Sequence, residues 1–290
     1  MLSETTIITS FYPLTKSKYD IGKYRAWIQN FCKIPSAVVI FTDEVYALEI
    51  YQWRKEFLEL TQIIVKPFDS FAMTCPSMMS LWMDQWQIDP EKHIHSPELY
   101  AIWALKQELV RIVLNTNRFQ SRWFVWCDIG IQRYSGLQNY YMSFPSEVPR
   151  LCQAGRMTFL EVDTIPDSYV NDWKENKEMV YPVPSVTLGG GCIAGDADAW
   201  LEFGEAYKTM LKDFVLRKWF AGKDQIVFFA ILMERKTKPF RLFHATPFSL
   251  NGQAIPGIEW MSFPPMLGGS IDAPLDTRFE PDSETVVYKG

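Results

Sequence analysis

The stretch Trp123-Phe124-Val125-Trp126-Cys127-Asp128-Ile129-Gly130 is the strongest indication of how this 290-residue chain folds. Five consecutive apolar or aromatic residues are typical of a strand that is buried on both faces of a parallel sheet. The run ends at a carboxylate, and the glycine two positions later permits close approach of the backbone. We therefore predict a buried strand that presents Asp128 at its carboxyl end.

Short apolar runs and helical patterns alternate on both sides of this segment. The predicted strands are Thr5 to Phe11, Ala37 to Phe41, Gln62 to Val65, Trp123 to Cys127 and Ser185 to Leu188. The predicted helices are Tyr24 to Phe31, Ala47 to Leu60, Glu98 to Leu114, Asp198 to Phe220 and Gln225 to Arg235. Such alternation predicts an α/β fold, with a mostly parallel sheet flanked by helices on both faces.

The predicted domain organisation is a single α/β domain over residues 1–263. The segment Phe71 to His95 is rich in Met, Trp and Pro, and we interpret it as an inserted loop or lid. Residues 264–290 are dense in Pro, Gly and Asp, which is typical of an ordered arm or a mobile tail.

The composition argues against several classes of protein. The 29 Lys and Arg against 34 Asp and Glu give a net charge of −5, which argues against a nucleic-acid partner. No apolar run approaches the ~18 residues of a membrane span, and no basic region precedes an apolar stretch at the N-terminus. The five cysteines are scattered without Cys-x-x-Cys spacing. We therefore expect a cytoplasmic protein with no membrane span and no disulfide framework.

Polar and small residues collect at the ends of the predicted strands, where open α/β sheets bind their ligands. They are Thr9-Ser10-Phe11-Tyr12, Asp43, Asp128 and Gly189-Gly190-Gly191. Asp128 is a candidate ligand for Mg²⁺ or Mn²⁺, because these hard ions prefer oxygen and would bridge a carboxylate to a diphosphate. The alternative is that Asp128 caps the next turn.

The helix predicted after Ser96 and Pro97 carries a charge within its apolar stripe. Lys106 occupies a position where the helical period places an apolar residue. A buried charge must be paired, so we expect a phosphate or the carboxylate of Asp128 beside it. Alternatively, the lysine extends from the edge of the stripe into solvent.

The run Gly189-Gly190-Gly191 begins a formal G-x-G-x-x-A pattern, a dinucleotide fingerprint. The turn is too long for that motif, and the acidic residue about 20 positions on, Asp213, falls within a helix. We expect the glycines to let backbone approach a bulky ligand such as a sugar, or to form a plain tight turn. Asp224 is a good helix N-cap, and it could also face the cleft of Asp128 and accept a proton or bind a sugar hydroxyl.

The three histidines give weaker signals. His93 and His95 have the spacing of two metal ligands on a strand, but a surface position is more typical for such a pair in a loop. His244 follows a late predicted strand. It either completes a metal site with Asp128 or is a hydrogen-bonded core histidine.

An ordered set of motifs resembles the HtrL/YibB (WlaTC-like) family of predicted glycosyltransferases of the GT-A superfamily. The matching stretches, over residues 5–250, are Thr6-Ile7-Ile8-Thr9-Ser10-Phe11-Tyr12, Pro97-Glu98-Leu99-Tyr100 with Lys106, Trp126-Cys127-Asp128-Ile129-Gly130 and Asp224-Gln225. The resemblance implies a GT-A-like sheet that binds a nucleotide sugar, UDP-sugar being favoured, and transfers the sugar to a glycan hydroxyl.

The resemblance also implies roles for individual residues. GT-A enzymes generally hold the donor diphosphate through Mn²⁺ or Mg²⁺ on a D-x-D motif, of which Asp128 is kept and the second Asp is Gly130. A water or His244 would then complete the ion site. Thr9, Ser10, Phe11, Tyr12 and Asp43 would contact the nucleoside, and Lys106 the ribose or diphosphate. The glycines 189–191, with Asp224 and Gln225, would lie near the donor sugar.

Three functional hypotheses follow. The leading one is a metal-dependent glycosyltransferase, in which a cation on Asp128 stabilises the charge that develops on the leaving nucleoside diphosphate. The second is a catalytically degenerate protein that binds nucleotides or carbohydrates, favoured by the missing second Asp. The third is a nicotinamide-dependent oxidoreductase that uses the glycine run.

Overall fold

An eight-stranded sheet forms the centre of the computed structural model, which describes residues 2–179, 187–250, 253–254 and 257–280. The strands are β1 (Thr5–Phe11), β2 (Val38–Thr42), β3 (Thr61–Val65), β4 (Trp123–Cys127), β5 (Thr158–Glu161), β6 (Leu188–Asp196), β7 (Arg241–His244), β8 (Ser249–Leu250), β9 (Gln253–Ala254) and β10 (Leu275–Asp276). Strands β8 and β9 pair with each other outside the main sheet.

Helices cover both faces of this sheet. They are α1 (Ile21–Phe31), α2 (Glu44–Trp53), α3 (Pro76–Ile88), α4 (Pro97–Thr116), α5 (Gln138–Tyr141), α6 (Val148–Leu151), α7 (Asp167–Lys174), α8 (Ala197–Leu216), α9 (Asp224–Met233) and α10 (Phe263–Leu267). Short 3₁₀ segments occupy Lys55–Leu60, Phe68–Ser70, Ala72–Thr74, Ser135–Leu137 and Ile258–Met261. No helix in the described part of the chain is both long enough and apolar enough to cross a membrane.

The strand order in the main sheet is β10-β7-β5-β6-β4-β1-β2-β3. Strands β1 to β4 are parallel to one another, and β5 is parallel to β7. Strand β6 runs antiparallel to both of its neighbours, and β10 runs antiparallel to β7. The predicted α/β fold, with a mostly parallel sheet between helices, is confirmed.

The side chains of β4 alternate between two hydrophobic cores. Phe124 and Trp126 pack with residues of α4, α8 and α9 on one face of the sheet. Trp123, Val125 and Cys127 pack with residues of α1 and α10 on the other face. Because a strand turns successive side chains to opposite faces, a continuous apolar run is what a doubly covered strand requires.

The predicted helix Ala47 to Leu60 is interrupted in the structure. Helix α2 ends at Trp53, and the 3₁₀ segment that follows has a non-helical residue at Phe57. Between them, the fully buried Arg54 donates to the carbonyl oxygens of Cys32, Ile34 and Ser36. A buried guanidinium needs such acceptors, and these tie the end of α2 to the loop before β2.

The two irregular segments of the sequence are both packed against the sheet and its helices. The stretch Phe71 to His95 contains α3, whose fully buried Trp82 donates its indole N–H to the Met73 carbonyl at 2.8 Å. In the C-terminal segment, α10 is buried and β10 extends the sheet beside β7. Residues 281–290 lie outside the described residues.

Candidate active site

One edge of the sheet brings the end of β4 beside the start of β6, because these neighbouring strands are antiparallel. Cys127 lies opposite Cys192, and the Asp128 backbone N–H donates to the Gly191 carbonyl oxygen at 2.7 Å. The topology thus places the glycines beside the carboxylate.

The glycine run lies inside β6, and the prediction that it follows a strand is wrong. The predicted strand Ser185 to Leu188 shares only Leu188 with β6, and residues 185 and 186 lie outside the described residues. Strands are identified in a sequence by β-branched or alternating apolar side chains, and glycine has no side chain. The glycine run therefore gave no indication of a strand. A dinucleotide fingerprint requires glycines in a turn before a helix, whereas β6 continues to Asp196.

Lys106 is the buried centre of this edge. Its side chain is 3% exposed. The ammonium donates to the Gly190 carbonyl oxygen at 2.6 Å and to Asp224 Oδ2 at 2.8 Å. Its Nζ also lies 3.6 Å from Asp128 Oδ1. The prediction that this charge is paired is confirmed, but its hydrogen-bonded carboxylate is Asp224, and the expected Asp128 lies farther away.

The charges of this cluster shift the pKa values of Lys106 and Asp224. Burial alone would lower the pKa of Lys106, but the charges of Asp128 and Asp224 outweigh it and leave the pKa raised. Burial raises the pKa of Asp224, and the charge of Lys106 offsets part of that rise. Lys106 therefore stays protonated at neutral pH.

Asp128 differs from Asp224 in its access to solvent. The Asp128 side chain is 43% exposed, against 4% for Asp224. Its Oδ1 accepts the indole N–H of Trp126 at 2.7 Å. The sequence could have indicated this contact, because residues two positions apart on a strand place their side chains on the same face.

The glycines make room for the two carboxylates. A Cβ on Gly190 would lie 3.1 Å and 3.2 Å from the two carboxylate oxygens of Asp224. A Cβ on Gly191 would lie 3.5 Å from Asp128 Oδ2, which is an ordinary contact. Gln225, beside Asp224 at the start of α9, donates its amide to the Leu188 carbonyl oxygen at 2.8 Å.

The end of β1 lies at the same edge, between β4 and β2. Thr9 is buried, and within the described residues its hydroxyl has no hydrogen-bond partner. Ser10 is half-buried, whereas Phe11 packs in the core beside α1. These residues lie at the end of β1, the strand next to β4, and so one strand away from Asp128.

Tyr12 and Asp43 extend this edge beyond β1 and β2. The Tyr12 hydroxyl donates to the Lys66 carbonyl oxygen at 3.0 Å, and its ring centroid lies 5.5 Å from that of Phe68. Burial and then the charge of Asp43 raise the pKa of Tyr12. Asp43 caps α2, because its Oδ1 accepts the Val45 N–H at 3.0 Å.

His244 lies three strands from β4, at the end of β7. At about 4.8 Å per strand, roughly 14 Å separates it from Asp128 across the sheet. Its Nδ1 contacts the carboxylate of Glu161 instead. The expectation that His244 and Asp128 hold one ion is not met by this geometry, because the sequence did not reveal that β6 and β5 lie between them.

His95 is buried, and the interpretation of both loop histidines as surface residues is wrong for it. Its Nδ1 donates to Asp89 Oδ2 at 2.7 Å, and Tyr100 donates to the same oxygen. Glu91 lies close by and accepts from Lys223.

Two groups of acidic and histidine side chains in the described part of the chain have ligand atoms within 4.8 Å of one another. They are Asp89, Glu91 and His95, and Glu161, His244 and Asp276. Both already bind cationic groups of the protein, Lys223 in the first and Arg278 in the second.

The exposed carboxylate of Asp128 could offer one protein ligand to a divalent cation. Its Oδ1 accepts the indole N–H of Trp126, and its Oδ2 lies 3.5 Å from the position of a Cβ on Gly191. Gly130 supplies no second carboxylate, and a Cβ there would face the ring of Trp27 at 3.4 Å. Mg²⁺ commonly binds through one or two carboxylates and completes its shell with substrate phosphates and water.

No protein-family model and no curated protein matches this chain. Among solved structures, the apo form of mouse xyloside xylosyltransferase 1 is similar over 79% of this chain and 81% of its own, with 10% identity and a TM-score of 0.36.

Proposed function

We propose that this chain is a glycosyltransferase, which moves a sugar from a nucleotide-diphosphate sugar to an acceptor hydroxyl of a glycan. The observation that carries the proposal is the half-exposed Asp128, backed by the buried pair Lys106–Asp224, at the carboxyl edge of an α/β sheet. Open α/β sheets bind ligands at that edge. The order of the motifs, which resembles predicted GT-A glycosyltransferases, supports the same reaction.

The nucleoside end of the donor, with UDP favoured, would lie along the ends of β1 and β2. Thr9 carries a buried hydroxyl that has no hydrogen-bond partner among the described residues, and the Tyr12 ring lies against Phe68 in an aromatic group suited to a flat base. Asp43 is close enough to Tyr12 to raise its pKa, and its second carboxylate oxygen could accept from a ribose hydroxyl.

Asp128 would hold the diphosphate end. Mn²⁺ or Mg²⁺, when bound, supplies positive charge that stabilises the leaving diphosphate. The protein fixes Oδ1 of Asp128 through Trp126 and leaves Oδ2 at the exposed edge. Lys106 would act on the diphosphate through its charge and through the orientation of both carboxylates, since its own donors are directed to Gly190 and Asp224.

Asp224 and Gln225 would act at the donor sugar, beside Gly190. The raised pKa of Asp224 brings it closer to the working pH, which suits a group that accepts a proton from a hydroxyl. The same carboxylate could instead bind a sugar hydroxyl in a retaining reaction. Gln225 anchors the start of α9 to β6 and so fixes where Asp224 lies.

Turnover measurements test the proposal. Asp128→Asn and Asp224→Asn should each reduce donor turnover at least a hundredfold, measured as nucleoside diphosphate released with and without Mn²⁺. Asp213→Asn is the matched control, because that side chain is exposed on α8 and pairs with Arg217. Full activity in both site variants would remove the proposed site.

A second candidate function is a degenerate transferase that binds nucleotides or carbohydrates without turnover. Gly130 favours it, because it removes the second carboxylate of the D-x-D pattern. Calorimetric titration with a panel of nucleotides and Mn²⁺ separates the two functions. Metal-linked binding without release of nucleoside diphosphate would support the degenerate protein.

A further inference from the structure

We propose that Trp126 is a positioning residue, whose indole N–H holds one oxygen of Asp128 so that the other is presented to the ligand. This inference rests on the proposed function, because it explains how a single carboxylate can serve a donor site. It assigns a role to a residue that would otherwise count only as core.

Trp126 and Lys106 both lie beside Oδ1 of Asp128. Trp126 and Asp128 are two residues apart at the end of β4, so both side chains project to the face of α4. The indole Nε1 lies 2.7 Å from Oδ1. The ammonium of Lys106 lies 3.6 Å from the same oxygen and 5.9 Å from the centroid of the Trp126 ring. One hydrogen-bond donor, the indole N–H, and one positive charge, the ammonium, therefore face Oδ1.

The Trp126 indole and the backbone of Asp128 are both held in place by the surrounding protein. Trp126 is 2% exposed and packs in the core of α4, α8 and α9, so its N–H is a rigid donor. The Asp128 backbone is fixed as well, by its bond to Gly191. A carboxylate that is 43% exposed would otherwise sample several rotamers, and a ligand would have to order it on binding. The indole bond removes that freedom beforehand.

A simpler account is that Asp128 only satisfies a buried indole N–H, which needs an acceptor. The two accounts predict different results. If the bond serves Trp126 alone, its loss affects stability and leaves ligand affinity unchanged. If the bond positions Asp128, its loss weakens ligand binding through Asp128 and has no effect once that carboxylate is gone.

The test measures binding of UDP with Mn²⁺ by calorimetry in the full chain. Trp126→Phe keeps a buried ring and removes the N–H, and should weaken binding roughly tenfold, as expected for a bond to a charged group. Trp123→Phe is the matched control, because Trp123 is also buried on β4 but faces the other core. That variant should bind within about twofold of the original chain.

A double variant shows whether the effect passes through Asp128. In an Asp128→Asn background, Trp126→Phe should change the dissociation constant less than about twofold. Equal binding by Trp126→Phe and the original chain, or effects that multiply in the double variant, would overturn the inference and leave the proposed function intact. No UDP binding by the original chain would instead overturn both.

A second measurement covers the case in which Trp126→Phe does not fold. In the original chain, the indole proton of Trp126 should exchange slowly in NMR spectra and shift when UDP and Mg²⁺ are added. Fast exchange, or a resonance that ignores the ligand, would contradict a positioning role.

Discussion

Two charged clusters lie at the same edge of the sheet and expose different side chains to solvent. In the first, Lys106 and Asp224 are 3% and 4% exposed, and the carboxylate of Asp128 faces outward. In the second, at the ends of β5 and β7, the side chains of Glu161 and Asp276 are 0% and 1% exposed. There the outward groups are His244 and Arg278, at 39% and 25%.

The difference shows that the arrangement of charges decides what a cluster can bind. The first cluster exposes an acidic group, the carboxylate of Asp128. In the second, Arg278 donates to both Glu161 and Asp276, so the acids are neutralised from within the protein. We therefore propose the first cluster, and not the second, for the donor diphosphate.

Removing the buried cation of the first cluster should have the largest effect on stability. Lys106→Met keeps the volume but leaves Asp224 buried without its partner, and should destabilise the fold by roughly 3–5 kcal/mol. Chemical denaturation measures this loss, with Lys208→Met on the exposed face of α8 as the control. A loss below about 1 kcal/mol would show that Asp224 does not depend on this charge.

Adding a methyl group to the glycine run should have the next largest effect. Gly190→Ala places a Cβ within 3.2 Å of both Asp224 oxygens, and should lower the free energy of unfolding by about 1–3 kcal/mol. Gly191→Ala, whose Cβ would meet Asp128 Oδ2 at 3.5 Å, should be tolerated better. Equal effects of the two substitutions in thermal unfolding would contradict the packing of Asp224 against Gly190.

The contribution of the second cluster to the free energy of unfolding should depend on pH. Burial alone would raise the pKa of Asp276, but its bonds to Arg278 outweigh this and hold the pKa below 3.8. The stabilisation is therefore present above that pH and is lost as the pH falls through the lower, folded-state value. Asp276→Asn should destabilise the protein by about 1–3 kcal/mol at pH 7.

Denaturation of both proteins at several pH values checks this expectation. The difference between the original chain and Asp276→Asn should persist down to about pH 4 and shrink below it. A difference that stays constant to pH 2 would show that Arg278 does not stabilise the ionised form of Asp276.

The smallest effect is expected from His244→Gln. His244 belongs to the second cluster, so Mn²⁺-dependent UDP binding should stay within about twofold of the original chain. Loss of the Mn²⁺ dependence in this variant would place His244 at the ion and contradict the separation of the two clusters.

Local patterns in the sequence were enough to predict the elements of the first cluster. The apolar run before Asp128 predicted β4, and the charge within an apolar stripe predicted a paired Lys106. Asp224 was expected to share a cleft with Asp128, and Lys106 contacts both carboxylates. In each case the signal lies within a few residues of the side chain concerned.

Features that depend on strand order could not be predicted in this way. Nothing near His244 indicates that β5 and β6 separate it from β4, and nothing near Arg278 indicates its bond to Glu161, 117 positions away. The antiparallel β6 was hidden by its glycines. His95 bonds to the nearby Asp89, but nothing around it in the sequence indicates that the ring of Tyr100 on the next helix packs against it.

Calorimetric titration of UDP into the original chain and Asp128→Asn, each with and without Mn²⁺, tests the central claim most directly. The original chain should bind UDP at least tenfold more tightly with Mn²⁺, and Asp128→Asn should lose that gain while keeping its fold. If Asp128→Asn binds UDP and responds to Mn²⁺ as the original chain does, Asp128 does not hold the donor diphosphate.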